Sequence, residues 1–225
     1  MVYVTGDTHG DISRLTGRAV RRLKKGDVLL ICGDFGFIWY GDKRDETALK
    51  KLSRLPFDIA FVDGIHENYD LLERYPVEEW NGGRAQTVTD RIHHLLRGEC
   101  YTIEGHTFFA FGGGEEEEDA GIREASGTDF DCAMPSGEEM LHRWQTLKEH
   151  HSRLDYILTH CPSGKLSGYL TRRGREMRLG GLHVYFNRIE EQVTFRRWFF
   201  GSLHIDKALT ARHLALFSSI VPVED

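Results

Sequence analysis

Short apolar runs alternate with helical patterns along the first part of the chain. The apolar run at residues 2–5 leads into a glycine-bounded turn and a helical pattern over about residues 11–23. A second run at 28–32 is followed by a helical pattern near 47–55 and a third run near 59–62. Apolar strands that alternate with helices predict a largely parallel or mixed sheet, covered by helices on both faces.

The pattern changes after Gly82, where short extended pieces follow one another. Their spacing is typical of antiparallel hairpins and predicts a second sheet. The pieces lie at residues 86–89, 92–95, 99–103 and 107–111. The stretch 112–135 combines glycines with an acidic run and few apolar residues, which predicts a long surface loop.

The rest of the chain predicts two further pairs of helix and strand. A helix over about residues 136–151 has acidic residues in its first turn, where negative charge suits the helix dipole, and it precedes a strand at 156–159. A last helix near 187–192 precedes a strand at 197–200. Because no internal repeat or interdomain linker is visible, we expect a single domain that spans residues 1–225.

Composition narrows the functional classes. Of the 225 residues, 40% are hydrophobic and 28% are charged, as in ordinary globular proteins. The longest apolar runs fall far below the roughly 20 residues that cross a bilayer, so no membrane span is expected. The net charge of -6 gives no electrostatic basis for general binding to duplex nucleic acid. The four cysteines form no Cys-x-x-Cys pair and the first residues show no signal-peptide pattern, so we expect a cytoplasmic protein.

Polar residues follow five of the apolar strands, at the points where those strands end. The carboxyl ends of strands in α/β sheets form the ligand crevice, and Asp and His are suitable metal ligands there. Any one such loop is ordinary, because aspartates cap helices and lone histidines are usually satisfied polar residues. Five in series favour a metal centre over a serine triad or a phosphate-binding loop, whose glycine motifs are absent. The loops are residues 6–10, 33–36, 63–67, 159–162 and 201–204.

These loops resemble those of the calcineurin-like metallophosphoesterases, and especially those of the small stand-alone bacterial and phage members. The resemblance covers essentially the whole chain, and the segments that carry it are 5–11, 32–36, 158–162 and 198–201. It implies an α/β fold, a two-sheet metallophosphoesterase-type sandwich flanked by helices, with a dinuclear metal site at the strand ends.

The resemblance also implies a role for individual residues. Asp34 would bridge two divalent ions of Mn, Fe, Zn or Ni, with Mn favoured, and His66 would be the catalytic acid. A metal-activated hydroxide would attack a phosphate mono- or diester while the acid protonates the leaving oxygen. The substrate would be a small phosphoester or a nucleotide. The ligands of the first ion would be Asp7, His9, Asp34 and His204, and those of the second would be Asp34 and His160.

Two residues depart from the family pattern, and both belong to the second metal ion. Ile65 replaces an asparagine before the catalytic histidine, and Ser202 replaces the first histidine of a Gly-His-x-His turn. Ile65 has no donor atom, and a neutral hydroxyl is a poor substitute for imidazole on a transition metal. Three interpretations stay open: a hydrolase with an impaired second site, a binding module for a phosphate-bearing ligand or a protein partner, and an enzyme with laboratory or chance substitutions.

A few other residues have possible functions with ordinary alternatives. Trp39 follows the second loop and could stack on a nucleobase, although packing in the core or at the rim would also explain it. Arg172 and Arg175 belong to an arginine cluster that could bind phosphates or could be a solvated loop. The histidine pairs at 93–94 and 150–151 have no glycine-bounded strand end, so we expect them at the surface.

Overall fold

The fold is a sandwich of two sheets with helices on its outer faces. The computed structural model describes residues 1–114, 130–150, 154–169, 171–172, 175–176 and 179–224. In chain order, the strands are β1 (Val2–Thr5), β2 (Val28–Ile31), β3 (Asp58–Phe61), β4 (Val77–Trp80), β5 (Gly83–Thr89), β6 (Ile92–Leu95), β7 (Glu99–Ile103), β8 (His106–Phe111), β9 (Tyr156–Thr159), β10 (Thr171–Arg172), β11 (Arg175–Glu176), β12 (Arg197–Phe200), β13 (Lys207–Ala208), β14 (His213–Ala215) and β15 (Val221–Pro222).

Five α-helices lie in the described part of the chain. They are α1 (Ile12–Thr16), α2 (Lys43–Leu52), α3 (Tyr69–Leu72), α4 (Gly137–His150) and α5 (Gly181–Gln192). Short 3-10 helices occupy Arg18–Arg22, Phe130–Ala133 and Gly164–Tyr169. No described helix has the length and apolar character that crossing a membrane would require.

The first sheet has the strand order β15-β1-β2-β3-β6-β5-β4. Strands β1, β2, β3 and β6 pair in parallel, whereas β15, β5 and β4 pair antiparallel at the two sides. The second sheet has the order β13-β14-β12-β9-β8-β7, and β14, β12, β9 and β8 are parallel. Strands β10 and β11 form a separate antiparallel pair. Each sheet therefore has a parallel centre whose strands all end at one edge.

The core is built in three layers of buried apolar side chains. The middle layer joins Val4 and Leu30 of the first sheet to Phe108 and Phe199 of the second. The other face of the second sheet packs against α4 and α5, and the other face of the first sheet packs against α1, α2 and α3. Burial on both faces explains why β1, β2 and β9 are continuous apolar runs rather than alternating ones. The prediction of a two-sheet α/β sandwich flanked by helices is confirmed.

Three predicted helices have different bounds in the structure. The helix expected over residues 11–23 breaks at Gly17, which adopts an extended conformation and separates α1 from a 3-10 helix. Helix α2 begins four residues before residue 47, because the Asp42 side chain accepts a hydrogen bond from Arg44 N and caps it. Helix α5 begins at Gly181 instead of residue 187, since Leu182, Phe186 and Ile189 form one buried face.

The sequence predicted that all four hairpin pieces form the second sheet, but two of them belong to the first sheet. Strands β5 and β6 extend the first sheet, because β6 pairs in parallel with β3, and only β7 and β8 begin the second sheet. The chain crosses between the sheets just after β6, where Tyr101 Oη accepts from Leu96 N at 2.9 Å and donates to Arg84 O at 2.7 Å. Hairpin spacing in a sequence does not specify which sheet a hairpin joins.

One expectation of surface exposure was wrong, and a second was wrong at the two ends of its segment. His93 and His94 are both 6% exposed, because β6 lies inside the sheet, with His93 stacked on Trp80 and His94 on Phe61. The predicted surface loop over residues 112–135 is buried at residues 112–114 and at Ala133. Residues 115–129 lie outside the described part of the structure. Of the other histidine pair, His151 and the side chain of His150 also lie outside it.

Candidate metal centre

The five polar loops of the sequence all lie at the carboxyl ends of parallel strands. The loops with Asp7, Asp34 and His66 follow β1, β2 and β3 of the first sheet, and those with His160 and His204 follow β9 and β12 of the second. The two edges meet, because His160 Nδ1 lies 3.2 Å from Cys32 O and 3.5 Å from Asp7 Oδ1. The junction of the two sheets thus collects Asp and His side chains from both.

Four of these side chains form a tight cluster. One ligand atom from each of Asp7, His9, Asp34 and His204 lies within 4.8 Å of the others. His204 Nε2 is 3.0 Å from Asp7 Oδ2 and 3.0 Å from His9 Nε2, and His9 Nδ1 is 3.7 Å from Asp34 Oδ2. Two imidazoles and two carboxylates are a donor set that suits Mn, Fe or Zn.

The Asp7 carboxylate provides a test of whether the cluster fits a cation. Its side chain is 0% exposed, and its Oδ1 atom has no hydrogen-bond partner in the described part of the structure. A buried carboxylate oxygen without a donor is costly in free energy, and a bound cation would remove that cost. Asp7 therefore fits the role of a metal ligand.

Two further histidines contact the Asp34 carboxylate. His66 Nδ1 lies 2.8 Å from Asp34 Oδ2, and the His66 backbone N–H donates to Asp34 Oδ1 at 2.8 Å. His160 is buried, with its Nδ1 atom 3.5 Å from Asp7 Oδ1 and its Nε2 atom 3.9 Å from Asp34 Oδ1. Asp34 thus connects the cluster of four with both remaining histidines.

The charges of this junction shift the pKa values of its members. Burial alone would raise the pKa of Asp34, but the positive charge of His160 and the hydrogen bonds from His66 outweigh it and lower that pKa. The hydrogen bond to Asp34 raises the pKa of His66, whereas burial lowers the pKa of His9. Asp34 is therefore ionised at neutral pH, which is the state that binds a metal ion.

The backbone at three of the four clustered residues is strained. His9, Asp34 and His204 have φ angles of 48°, 44° and 53°, in the left-handed region that residues other than glycine seldom adopt. Such conformations cost about 1 to 3 kcal/mol each and persist where the surroundings enforce them, often at functional sites. In these conformations the three side chains meet in one cluster.

Glycines bring the backbone of neighbouring loops against the cluster. A Cβ atom added to Gly64 would overlap Asp34 Oδ1, one added to Gly201 would overlap Asp7 Oδ1, and one added to Gly33 would overlap the His160 ring. These positions have no room for any side chain, so each glycine is required by close approach.

Comparison with known protein families agrees with this geometry. Residues 1–206 match the family described as calcineurin-like phosphoesterase. The chain belongs to the calcineurin-like phosphoesterase family. The resemblance noted in the sequence is thereby confirmed, and membership implies metal-dependent hydrolysis of phosphoesters. No curated protein matches the chain significantly.

Ser202 and Ile65, which the sequence analysis interprets as replaced ligands of a second ion, lie near His160 and Cys161. Ser202 N donates to His160 O at 3.0 Å. Ile65 is half-buried, and both its side chain and Cys161 Sγ border Gly114, where an added Cβ would lie 2.7 Å from Ile65 Cγ1 and 3.0 Å from Cys161 Sγ. This side of the centre is therefore lined by an aliphatic group, a hydroxyl-bearing residue and a thiol.

Sequence reasoning missed a buried network under the loop that contains His66. Asp63 accepts hydrogen bonds from Arg97 Nε at 2.8 Å, Arg97 Nη2 at 2.6 Å and Tyr69 Oη at 3.1 Å, and its Oδ1 lies 3.2 Å from His94 Nε2. Arg97 Nη2 also donates to Ala133 O at 3.1 Å. The network fixes the start of the loop after β3, and a charged residue directly after an apolar strand was the only signal for it.

The buried carboxylate of Glu67 connects the loop that contains His66 to the loop that contains Asp34. It is 1% exposed, and its Oε1 accepts a hydrogen bond from Phe35 N at 2.7 Å. Burial raises the pKa of Glu67 well above its usual value, and the Asp34 charge adds to the shift. Glu67 thus holds the backbone of the residue after Asp34.

The substrate-binding roles suggested by the sequence for three residues stay predictions. Trp39 is half-buried, its N–H donates to Asp45 Oδ2 at 2.8 Å, and its carbonyl accepts from Asn68 Nδ2 at 2.9 Å. Its backbone therefore lies against the loop that contains His66. Arg172 and Arg175 lie on β10 and β11, but their side chains lie outside the described part of the structure.

Replacing Gly201 with alanine should weaken metal binding. The added methyl group would displace the Asp7 carboxylate, so we expect Mn²⁺ affinity, measured by titration calorimetry, to fall about tenfold or more. Gly137→Ala is the matched control, because an added Cβ there meets nothing within 4 Å. Equal affinities of the two variants for Mn²⁺ would contradict the close approach described for Gly201.

Asp63 should make stability depend on pH. Burial would raise its pKa, but the Arg97 charge and the His94 hydrogen bond lower it below the usual value. A carboxyl whose pKa is lower in the folded state stabilises the fold above its unfolded pKa of about 4, and that stability is lost as the pH falls. The unfolding free energy should therefore decline more steeply below about pH 4 in the wild type than in Asp63→Asn.

At pH 7 the same variant should be about 3 kcal/mol or more less stable, because it removes the charge 2.6 Å from the largely buried Arg97 and leaves Glu139, at 4.0 Å, as a more distant partner. Asp58→Asn is the matched control, since the Asp58–Arg91 pair is 35% exposed on both sides and should contribute less than about 1 kcal/mol. Denaturant unfolding of both variants measures the difference. Similar losses of unfolding free energy in the two variants would show that the Asp63 network stabilises the fold no more than an exposed ion pair does.

Proposed function

We propose that this chain hydrolyses a phosphate mono- or diester with the help of a divalent metal ion, Mn²⁺ being the favoured one. The observation that carries the proposal is the cluster of four ligand atoms within 4.8 Å, with His66 in contact with its Asp34 member. Asp7, His9, Asp34 and His204 would hold the ion. The substrate we expect is a small phosphoester or a nucleotide.

The metal ion and His66 would have separate roles in the reaction, and these roles follow from their positions. A divalent ion in this site supplies Lewis acidity toward the phosphoryl oxygens and toward the attacking water. His66 has its Nδ1 atom 2.8 Å from Asp34 Oδ2, which fixes the orientation of the ring and leaves Nε2 as the atom that delivers a proton. We assign His66 as the acid that protonates the leaving oxygen.

We further propose that the second metal ion of the family binds weakly here. Asp34 and His160 would be its remaining ligands, because Ile65 has no donor atom and the Ser202 hydroxyl is a weak one. Two protein ligands hold a transition metal less firmly than four, so a second ion would enter mainly together with the phosphate of the substrate.

A binding module for a phosphate-bearing ligand is the second candidate. The replacement of both residues on the His160 side favours it, since the first ion alone could hold a phosphate without cleaving it. For either function we propose a cytoplasmic location, which is supported by scattered cysteines that show no disulfide pattern, because reduced thiols are typical of the cytosol.

Activity with Mn²⁺ tests the proposed enzyme directly. The wild type should cleave a generic aryl phosphomonoester or diester when Mn²⁺ is added, and Asp34→Asn should lose both the ion and the activity. His66→Gln should lower kcat by about 100-fold or more while it still binds Mn²⁺, because only the proton donor is removed. The absence of cleavage by the wild type, or an unchanged kcat in His66→Gln, would contradict the proposal.

The number of bound ions tests the proposed impairment of the second site. Elemental analysis of the Mn²⁺-loaded wild type should show about one ion per chain, and the double variant Ile65→Asn with Ser202→His should hold about two and turn over faster. The double variant Ile65→Leu with Ser202→Ala is the control and should stay at one.

Other outcomes of this experiment have clear meanings. About two ions in the wild type would show that other groups replace the lost ligands. Turnover by the double variant alone, with none by the wild type, would establish the binding module instead of the enzyme.

A further inference from the structure

The last segment of the chain packs against the metal centre, although it lies beyond residue 206, where the family match ends. The ring of Phe217 is 4.9 Å from the ring of His204, with an angle of 37° between their planes. The guanidinium of Arg14 lies 4.9 Å from the centre of the same Phe217 ring. Phe217 thus stands between a clustered histidine and a cation from α1.

Arg14 connects this segment to a second member of the cluster. Its Nη1 donates to the backbone oxygen of Asp7 at 2.9 Å, and its Nη2 donates to the backbone oxygen of Phe217. Thr5 Oγ1 donates to the same oxygen of Phe217 at 3.3 Å. Because Arg14 bonds the main chain of Asp7, the Asp7 carboxylate stays available to a metal ion.

Asp206 fixes the backbone around Phe217. Its carboxylate accepts hydrogen bonds from Phe217 N at 2.8 Å, Ser219 N at 3.0 Å and Ser218 Oγ at 2.8 Å. Asp206 is two residues after His204, so the strained turn at His204 and the segment at Phe217 form one hydrogen-bonded unit.

We propose that Arg14 and Phe217 are positioning residues of the metal centre. Arg14 holds the backbone of Asp7, and Phe217 supports the ring of His204, so that both ligands are oriented before an ion binds. Groups that orient metal ligands typically change the metal affinity about 10- to 100-fold when they are removed. This inference rests on the proposed function, because it requires Asp7 and His204 to bind a metal ion.

The chain offers a matched control in Arg22. Its Nη2 donates to the backbone oxygen of Ile220 in the same last segment, and its guanidinium lies 5.2 Å from the centre of the Tyr3 ring. Arg22 therefore makes the same two kinds of contact as Arg14, but neither Tyr3 nor Ile220 is a proposed ligand. A loss common to both arginines would reflect attachment of the segment, and a loss limited to Arg14 would reflect ligand orientation.

The experiment measures Mn²⁺ affinity by titration calorimetry on the full chain, with thermal unfolding of the metal-free protein alongside. Arg14→Met and Phe217→Leu should each bind Mn²⁺ about tenfold or more weakly than the wild type, while Arg22→Met stays near the wild type. Arg14→Lys should lie between, because it keeps the charge but lacks the planar fork that reaches two oxygens. Phe217→Leu keeps an apolar side chain at that position, so it carries the test if Arg14→Met does not fold.

The outcomes separate this inference from the proposed function. A wild type that binds no Mn²⁺ would overturn both. A wild type that binds Mn²⁺, with unchanged affinity in Arg14→Met and Phe217→Leu, would overturn the positioning role and leave the proposed function intact. Equal loss of affinity in Arg22→Met would also overturn it, since the effect would then belong to general attachment of the last segment.

Discussion

Two carboxylates buried at the junction of the sheets, Asp7 and Asp34, are the constraint on which the rest of this structure depends. They are 0% and 2% exposed, and an ionised carboxylate removed from water is costly unless positive charge or hydrogen-bond donors surround it. Imidazoles from four separate loops supply part of that compensation, and the orphaned Asp7 Oδ1 shows that it is incomplete without a cation. The sandwich is therefore arranged so that the parallel strands of both sheets end at the same place.

Much of this arrangement is predictable from the sequence, for a simple geometric reason. Strand β2 is apolar throughout and β1 is apolar up to Thr5, which indicates a parallel sheet, and parallel strands end at one edge. Polar loops after such strands must then converge, whichever order the strands take. Asp7, Asp34 and His204 could be grouped on this basis without knowing the sheet topology.

The contacts that hold these loops were not predictable, because they join residues that look ordinary. Arg14 and Phe217 are 203 residues apart, and nothing in either local pattern points to the other. His94 was expected at the surface because it lies in no glycine-bounded loop at a strand end, yet β6 lies between β3 and β5, and its ring stacks on Phe61. Pairing between distant strands decides such cases, and a period of two along one strand contains no information about its neighbours.

The Asp7 side and the His160 side of the centre differ in backbone strain and in buried charge, and this difference bears on the proposed function. Around Asp7 the backbone holds His9, Asp34 and His204 in strained conformations, and the Asp7 Oδ1 atom has no hydrogen bond in the described part of the structure. Both features destabilise the metal-free fold, and a bound cation would offset that cost. On the His160 side, Ile65 and Ser202 add no charge that an ion would neutralise, which supports the proposed weakness of the second site. The strained backbone at Asp34 therefore supports the proposal that the first metal site is retained.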